Sequence, residues 1–516
     1  MPDIEINPQF KKALDLLEGT ESNVFITGKA GTGKSTLLDH FRKITQKKVV
    51  VLAPTGVAAL NVGGETVHSF FRFKPNVTLK KIKKLRTKKN YPNIYKELDT
   101  IIIDEVSMVR SDLLDCVDRF MRLNGKEKDK PFGGAQMAFI GDLYQLPPVV
   151  TSHEKEIFRS HYKSQYFFDS KVFAEFRMEF VELEKVYRQK DPVFVEVLNA
   201  FRNNTVLDEH IELMNSRVKH VTGPEKDFQL YLTTTNAMAE EINIRKLEES
   251  GGRETEFEAD LSGEIDEKSM PTGKRLRLKE NAQVMLLNND TYGRWVNGSI
   301  GKITSIGKNS IVVQFEDGRE EIVAPHTWEI FHYSYDAGKG TIQSDVVGDF
   351  VQLPVKLAWA ITIHKSQGLT FDDVIIDVGR GTFAHGQLYV ALSRCRTLNG
   401  IILAKPVKKQ HVIMDRRVMD FVTKFQYARA EEELPLTEKM GMIRAAIEEK
   451  IPLEIVYLKA RDERSTRTIM PLEVGEMEYK GVRYTGVSAM CDLRGMVRTF
   501  RVDRILEMKR AGSSDQ

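Results

Sequence analysis

An α/β protein of several folding units, with parallel sheets at its centre, is predicted by three features of the sequence. The run Val24-Phe25-Ile26-Thr27 is apolar and strand-like, breaks at Gly28-Lys29-Ala30-Gly31-Thr32-Gly33-Lys34-Ser35, and gives way to a helix opening at Thr36-Leu37-Leu38. Two further apolar runs, Thr100 to Ile103 and Met137 to Ile140, end in Asp104-Glu105 and Gly141-Asp142. Short strands that deliver polar chemistry at their C-terminal edge are the habit of open parallel sheets. The third feature is length: 516 residues exceed one ordinary core and suggest roughly three or four units of about 100 to 200 residues.

Each of these elements has a chemical reading. The strand, loop and helix around Gly28 to Ser35 form a complete P-loop. Gly28, Gly31 and Gly33 let the backbone bend so that amide N–H groups through Thr32 and into Thr36 point at phosphate oxygens, beside the positive end of the helix dipole. Lys34 is expected on the β- and γ-phosphates and Ser35 on Mg²⁺, so ATP with Mg²⁺ is the implied ligand. Asp104 is expected to hold the metal, directly or through water. Glu105, next to the metal rather than on it, is the candidate to orient the attacking water. Gln145, just beyond the third strand in Gly141-Asp142-Leu143-Tyr144-Gln145-Leu146-Pro147-Pro148, stands where an amide can touch the γ-phosphate.

Composition excludes several classes. With 41% hydrophobic and 29% charged residues the chain reads as globular rather than disordered or fibrous. No apolar stretch approaches the roughly 20 residues of a spanning helix, and the N-terminus lacks the features of a secretory signal, so no membrane partner is expected and the cytoplasm is the expected compartment. Cys116, Cys395 and Cys491 lie far apart without metal-ligand spacing and are expected to be reduced packing residues. A net charge of +3 does not announce a nucleic-acid partner, but Arg72 to Asn90 carries nine Lys or Arg and no acid.

The segments GKAGTGKS, APTGVAA, GGETVHSFF, IIIDEVSMV and IGDLYQLPPV resemble, in order, the N-terminal motor motifs of superfamily 1 helicases, and more narrowly those of the petite-integration-frequency (PIF) helicases, relatives of RecD. VYRQKD, LTTTN, AWAITIHKSQGLT and GQLYVALSRCR continue the likeness through the second half, so that it covers roughly residues 5 to 405. The resemblance implies two RecA-like motor domains, the first over 1–71 and 97–182, the second over 183–250 and 350–410. It also implies a wedge insertion at 72–96 and a small β-barrel insertion at 251–349, where Asp317-Gly318 after an alternating run signals a hairpin. A linker is expected at 411–436. Residues 437–510 resemble, more loosely, a WYL domain, with Tyr484-Thr485-Gly486 in place of Trp-Tyr-Leu.

The same resemblance implies an activity: 5′-to-3′ DNA unwinding driven by ATP, in genome maintenance, by a monomer that tracks single-stranded DNA and meets duplex at a fork. Arg188 and Arg394 match the family's arginine fingers, and Gly368 the position of a backbone amide near the γ-phosphate. Gln9, in Asn7-Pro8-Gln9-Phe10, matches the family's adenine-reading glutamine. Thr55, His68, Ser69 and Phe70 in the first domain, and Thr234, Asn236, His364 and Lys365 in the second, match positions that contact DNA. For the C-terminal domain, single-stranded DNA or a protein partner is expected; Arg464, Arg467, Arg498, Arg501 and Arg504 form either a phosphate-binding patch or the solvated face of a strand. Two other classes share part of the pattern. A P-loop kinase would use Lys34 and Asp104 without Arg394, and a DNA-binding regulator with a vestigial ATPase would bind DNA without unwinding it.

Overall fold

The computed structural model describes residues 6–74, 77–85, 93–150, 160–219, 228–263, 270–295, 297–336, 341–458, 464–479, 481–493 and 495–511, with Glu154 and Phe158. The chain divides into two compact units, residues 1–202 with 206–413, and residues 203–205 with 414–516.

The first unit contains both parallel sheets. In its N-terminal half six strands, β1 (Asn23–Gly28), β2 (Val49–Ala53), β3 (Glu65–Thr66), β4 (Thr100–Ile103), β5 (Gln136–Ile140) and β6 (Met178–Leu183), lie in the order β3-β2-β4-β5-β1-β6 with every pair parallel. A parallel sheet is covered on both faces, so its strands read as continuous apolar runs rather than alternating ones. That is the case here: β4 and β5 are buried throughout. The helices α1 (Pro8–Gly19) and α2 (Lys34–Ile44) join one face through Phe10, Leu14, Leu17, Leu37 and Phe41. Each such side chain contributes on the order of 1.5–3 kcal/mol on burial. Asn7 caps α1 by accepting the Phe10 N–H at 2.8 Å, and Pro8 occupies the first turn, where no N–H is needed.

The second parallel sheet runs Ala360–Thr362, Tyr231–Thr233, Val374–Asp377, Ile401–Leu403. Its core takes in Ala30 of the P-loop and Leu146 from the first half, so one apolar cluster spans both halves. Between Tyr231–Thr233 and Ala360–Thr362 the chain leaves to build the expected β insertion. A five-stranded antiparallel sheet includes the hairpin Ile311–Phe315/Glu320–Val323, turned by Asp317 and Gly318 at φ +83°. That sheet also draws in Val355–Leu357, beyond the expected end at residue 349, because Val284 pairs with Leu357 and Leu353 and Val355 join its core. Trp295 is buried in the same core, its indole N–H donating to Asn288 Oδ1 at 3.0 Å. Of the expected wedge, Lys80, Lys81, Lys83 and Lys84 are exposed around buried Ile82; Val296 and residues 86–92 lie outside the described residues.

Among its described residues the second unit has two α-helices and a five-stranded antiparallel sheet. The segment 411–436, expected as a linker, instead holds the 18-residue helix Arg416–Glu433, opened by Asp415 accepting the Arg417 N–H. Its glutamates and the following Pro435 read as solvated spacer in sequence, yet the run Val418, Val422, Gln426, Ala430 is buried at helical spacing. The sheet, in the order Met496–Arg501, Val482–Cys491, Arg464–Tyr479, Leu453–Leu458, Ile505–Arg510, packs Leu453, Ile455, Ile469, Val487 and Phe500 against Ile443 and Ala446 of helix Leu436–Glu449. The five arginines do not form one patch. Arg467 is 6% exposed, its guanidinium donating to Ser465 Oγ and approaching Cys491 Sγ, because its position on the strand faces the core. Arg501 is bidentate to Asp503, and Arg498 is exposed; the Arg464 side chain lies outside the described residues.

Among the described residues no helix is long and apolar enough to cross a membrane. All three cysteines are free and buried, as packing residues are.

Candidate functional site

The P-loop leaves the C-terminal end of β1 and returns into α2. Gly31 and Gly33 take left-handed φ values of +80° and +87°, which L side chains adopt only at a cost, and the turn is closed by the Thr32 hydroxyl donating to Lys29 O at 2.9 Å. Lys34 opens α2 with its ammonium folded back on the loop, donating to Gly28 O at 2.7 Å and Lys29 O at 2.9 Å. Burial pulls its pKa below the ordinary lysine range, against the opposing pull of Asp142, Glu105 and Asp104.

At the end of β4, Asp104 is 6% exposed, and its carboxyl is pushed up to about 7 by burial and by the neighbouring charge of Glu105. Glu105 has a left-handed backbone, φ +49°. A non-glycine residue in that region is worth inspection, because such strain collects at functional sites. Both carboxylates open onto a cavity of about 300 Å³ lined by Ala30 to Thr36 of the P-loop region, Ala58, Gln145, Tyr187, Arg188, Gly368 and Arg394.

The far wall of that cavity comes from the second half. The Tyr187 and Arg188 N–H groups donate to Gly31 O at 2.7 and 3.3 Å. A Cβ on Gly31 would stand 2.5 Å from the Arg188 Cβ, so the halves touch backbone to side chain. Arg188 donates to Ser393 O at 3.3 Å. Arg394 donates to the carbonyls of Val390 and Leu369 and to the Ser393 hydroxyl. Burial, with the adjacent Arg188 charge, lowers the Arg394 pKa to about 10.

A buried polar chain ties the halves together beneath the cavity. The Ala30 N–H donates to the Tyr389 hydroxyl at 2.9 Å, and that hydroxyl donates to Asp142 Oδ2 at 3.1 Å. Asp142 is ion-paired with Arg202 at 3.0 Å, both side chains almost wholly buried, and the Arg202 guanidinium lies 4.0 Å above the Tyr144 ring. Gln145, three residues on, reaches back to Asp142 at 3.5 Å and leaves its buried Oε1 without a partner beside the cavity. Burial alone would raise the Asp142 pKa, but Arg202 and Lys34 hold it below the ordinary range.

The nucleotide-site expectations therefore converge: Lys34, Ser35, Asp104, Glu105, Gln145, Arg188, Gly368 and Arg394 share one cavity. Gly28 stands behind it as the acceptor for Lys34. Gln9 is half-buried on α1 and is not brought into the cavity lining, where Tyr187 stands instead, near Phe10 and within 3.3 Å of Asn7.

The residues matched to DNA contacts are less uniform. Thr55 accepts the Ala58 N–H at 3.3 Å, starting a short helix. His68 is half-buried, and burial together with Arg110 lowers its pKa, which favours the neutral ring. Ser69 is exposed, and Phe70 packs edge-on against Phe71 and Tyr95. Thr234 is only 3% exposed and accepts from Gln387 through its carbonyl, whereas Asn236 is exposed at the start of helix Asn236–Glu249. His364 is half-buried with its ring near-parallel to Phe383 at 6.3 Å, and Lys365 is exposed.

Four contributors were not legible as site residues. Tyr187 sits beside Arg188 in a motif already noted, so adjacency was its signal. Phe383, 61% exposed next to His364, stands in a Gly-rich stretch that gave no periodic cue. Arg202 and Tyr389 meet Asp142 only through the tertiary fold, since 60 and 247 positions separate them from it.

A P-loop, paired carboxylates and two opposed arginines around one cleft define an NTP-hydrolysing motor with two RecA-like halves. The PIF1-like helicase family model matches residues 6–210, the UvrD-like helicase C-terminal domain 357–416, and the WYL domain 438–510. An ATP-dependent DNA helicase Pif1 of Bdellovibrio bacteriovorus is 33% identical over 435 residues, 82% of this chain and 93% of that protein. ATP-dependent DNA helicase PIF1 of Homo sapiens is 33% identical over 79% of this chain but only 62% of its own length. The structure of Pif1 helicase from Bacteroides in complex with ADP-AlF3 and ssDNA aligns with a TM-score of 0.73 at 38% identity, covering 82% of this chain and 98% of that one. The chain belongs to the PIF1 helicase family, and it is an ATP-dependent DNA helicase carrying a C-terminal WYL domain.

Proposed function

We propose that this helicase moves 5′-to-3′ along single-stranded DNA and unwinds duplex or structured DNA in genome maintenance. One observation carries the reading of the engine: Lys34 from one half and Arg188 and Arg394 from the other converge on a cavity whose carboxylates lie on the Asp104–Glu105 side. A polyphosphate is the ligand that three such cations neutralise together. As the halves close, Arg188 and Arg394 meet charge developing on the γ-phosphate while Glu105 orients the attacking water. Ser35 and Asp104 offer the hydroxyl and carboxylate oxygens that suit Mg²⁺, and the buried Asp104 carboxyl, raised by Glu105, is one that a cation would restore to its ionised form. The metal would supply charge neutralisation at the phosphates.

Along the DNA track, the His364 and Phe383 rings offer faces for bases, and Asn236, Ser69 and Lys365 offer polar and basic groups for phosphates. Polarity follows the family. Strand separation on duplexes with either a 5′ or a 3′ single-stranded overhang tests it: unwinding is expected only from the 5′ overhang, and equal or better unwinding from the 3′ overhang rejects the assignment.

For the C-terminal unit the proposed role is an auxiliary grip on single-stranded DNA, now resting on exposed Arg498 and half-buried Arg504 rather than on five arginines. Removing residues 414–516 is expected to weaken single-stranded DNA binding several-fold at fixed salt while sparing DNA-stimulated ATP hydrolysis. Unchanged DNA affinity in the truncated protein assigns the unit to a protein partner.

A further inference from the structure

The carboxylate that orients the attacking water is held from the other half of the motor. Gln367 Nε2 donates to Glu105 Oε2 at 3.1 Å across 262 positions of sequence and lies 3.5 Å from Ser107 Oγ. Gln367 is 4% exposed, and its Oε1 is buried without a hydrogen-bond partner. Leaving a buried acceptor unpaired costs about 1–3 kcal/mol, so an amide kept in this orientation, N–H toward the carboxylate, is held there by the Glu105 contact at the expense of its own oxygen.

The backbone fixes the amide in place. Gln367 follows the turn Ile363–Ser366, whose Ser366 hydroxyl donates to Ile363 O at 2.8 Å. It precedes Gly368, which takes φ +85° and lines the nucleotide cavity. The same turn carries His364 and Lys365. Glu105 for its part sits on a left-handed backbone, and its Oε2 accepts the Gln367 amide.

We propose that Gln367 is a positioning residue for ATP hydrolysis: by its hydrogen bond across the cleft it fixes the Glu105 carboxylate for the attacking water only when the second half is seated. The proposal rests on the water-orienting role assigned to Glu105. Hydrolysis without closure is thereby suppressed, and the residue that signals closure belongs to the turn expected on DNA. Gln367 is not among the residues that line the cavity, and it acts through Glu105.

A double-mutant cycle on the full-length protein tests it, using Glu105→Gln, Gln367→Leu, Gln367→Asn and the Glu105→Gln/Gln367→Leu pair, with ATP hydrolysis measured at saturating single-stranded DNA. Leucine keeps the volume without the donor, and asparagine keeps the amide one methylene too short. Both single Gln367 variants are expected to lower kcat about tenfold, with KM for ATP and Kd for single-stranded DNA within about twofold of wild type, because a misplaced catalytic group costs rate rather than ground-state binding. On the Glu105→Gln background, Gln367→Leu is expected to add less than about twofold, since the two residues act as a unit. Wild-type turnover by Glu105→Gln would reject the role of Glu105 itself. With Glu105→Gln impaired, the positioning role of Gln367 is overturned by any of three results: near-wild-type kcat in both Gln367 variants, a full further loss in the double variant, or a DNA-affinity loss as large as the loss of kcat.

Discussion

Arg394→Ala is expected to reduce DNA-stimulated ATP hydrolysis by about 10³-fold, the range lost with an arginine finger, while ATP affinity changes little. The site geometry accounts for both halves of that expectation. Arg394 lines the cavity from the second half, and its hydrogen bonds run to the carbonyls of Val390 and Leu369 and to the Ser393 hydroxyl rather than to any carboxylate. Its guanidinium, whose pKa burial and Arg188 lower to about 10, stays charged at neutral pH and is thus available to an anion that forms in the cleft. ATP binding rests mainly on the P-loop, which the substitution leaves untouched. Arg188→Ala is expected to behave alike, and the double variant to lose far less than the product of the two, since the two arginines line one cavity and are proposed to stabilise one transition state. Turnover reduced by less than about tenfold in Arg394→Ala would make its role structural, a matter of tying Leu369 to Val390.

Glu105→Gln is expected to abolish unwinding and to lower ATP hydrolysis by about 10²-fold or more, within the range that general-base assistance supplies, while retaining ATP binding. Lys34→Ala should abolish unwinding by a different route, since it removes the ammonium held 2.7 Å from Gly28 O at the base of the cavity. The distinction is read from nucleotide affinity: the glutamine variant should bind ATP as wild type does, the alanine variant should not. Hydrolysis by Glu105→Gln at a near-wild-type rate on DNA would remove the water-orienting assignment, whatever happens to Lys34→Ala.

The parts of this molecule that sequence made legible are those where local chemistry and function coincide. The P-loop needs its glycines, lysine and serine consecutively, and β4 and β5 need continuous apolar runs before their acidic ends, so Lys34, Asp104, Glu105 and Gln145 could be assigned roles before any contact was known. Arg188 in VYRQKD and Arg394 in VALSRCR, two residues from Arg396, carry no local pattern that marks them as site residues. Only likeness to a family marked them, and the fold then set both on one cavity. What remained illegible is what the chain assembles across long separations. Arg467 alternates with its neighbours like a solvated strand arginine, yet its face of the sheet is the core face, and no local pattern distinguishes the two. The helix Arg416–Glu433 hides its buried stripe among arginines, glutamates and one lysine, so its charge content masks its period. Thr234 is buried because it lies one position past the fully buried strand Tyr231–Thr233, and the first exposed residue after it is two positions later, at Asn236.

Gly31 answers to two separate demands. Its left-handed φ of +80° is the bend that turns the loop toward phosphate, and the absence of a Cβ leaves the 2.5 Å that Arg188 would otherwise contest. Any larger residue there would act as a spacer between the halves as well as a distortion of the loop. Loss of turnover on changing Gly31 therefore does not diagnose loss of nucleotide binding, because a motor with an intact ATP pocket would fail equally if its two halves could no longer meet. In mechanical terms this glycine is a clearance: at a position that the P-loop signature leaves open, it records the closeness of fit between the two halves.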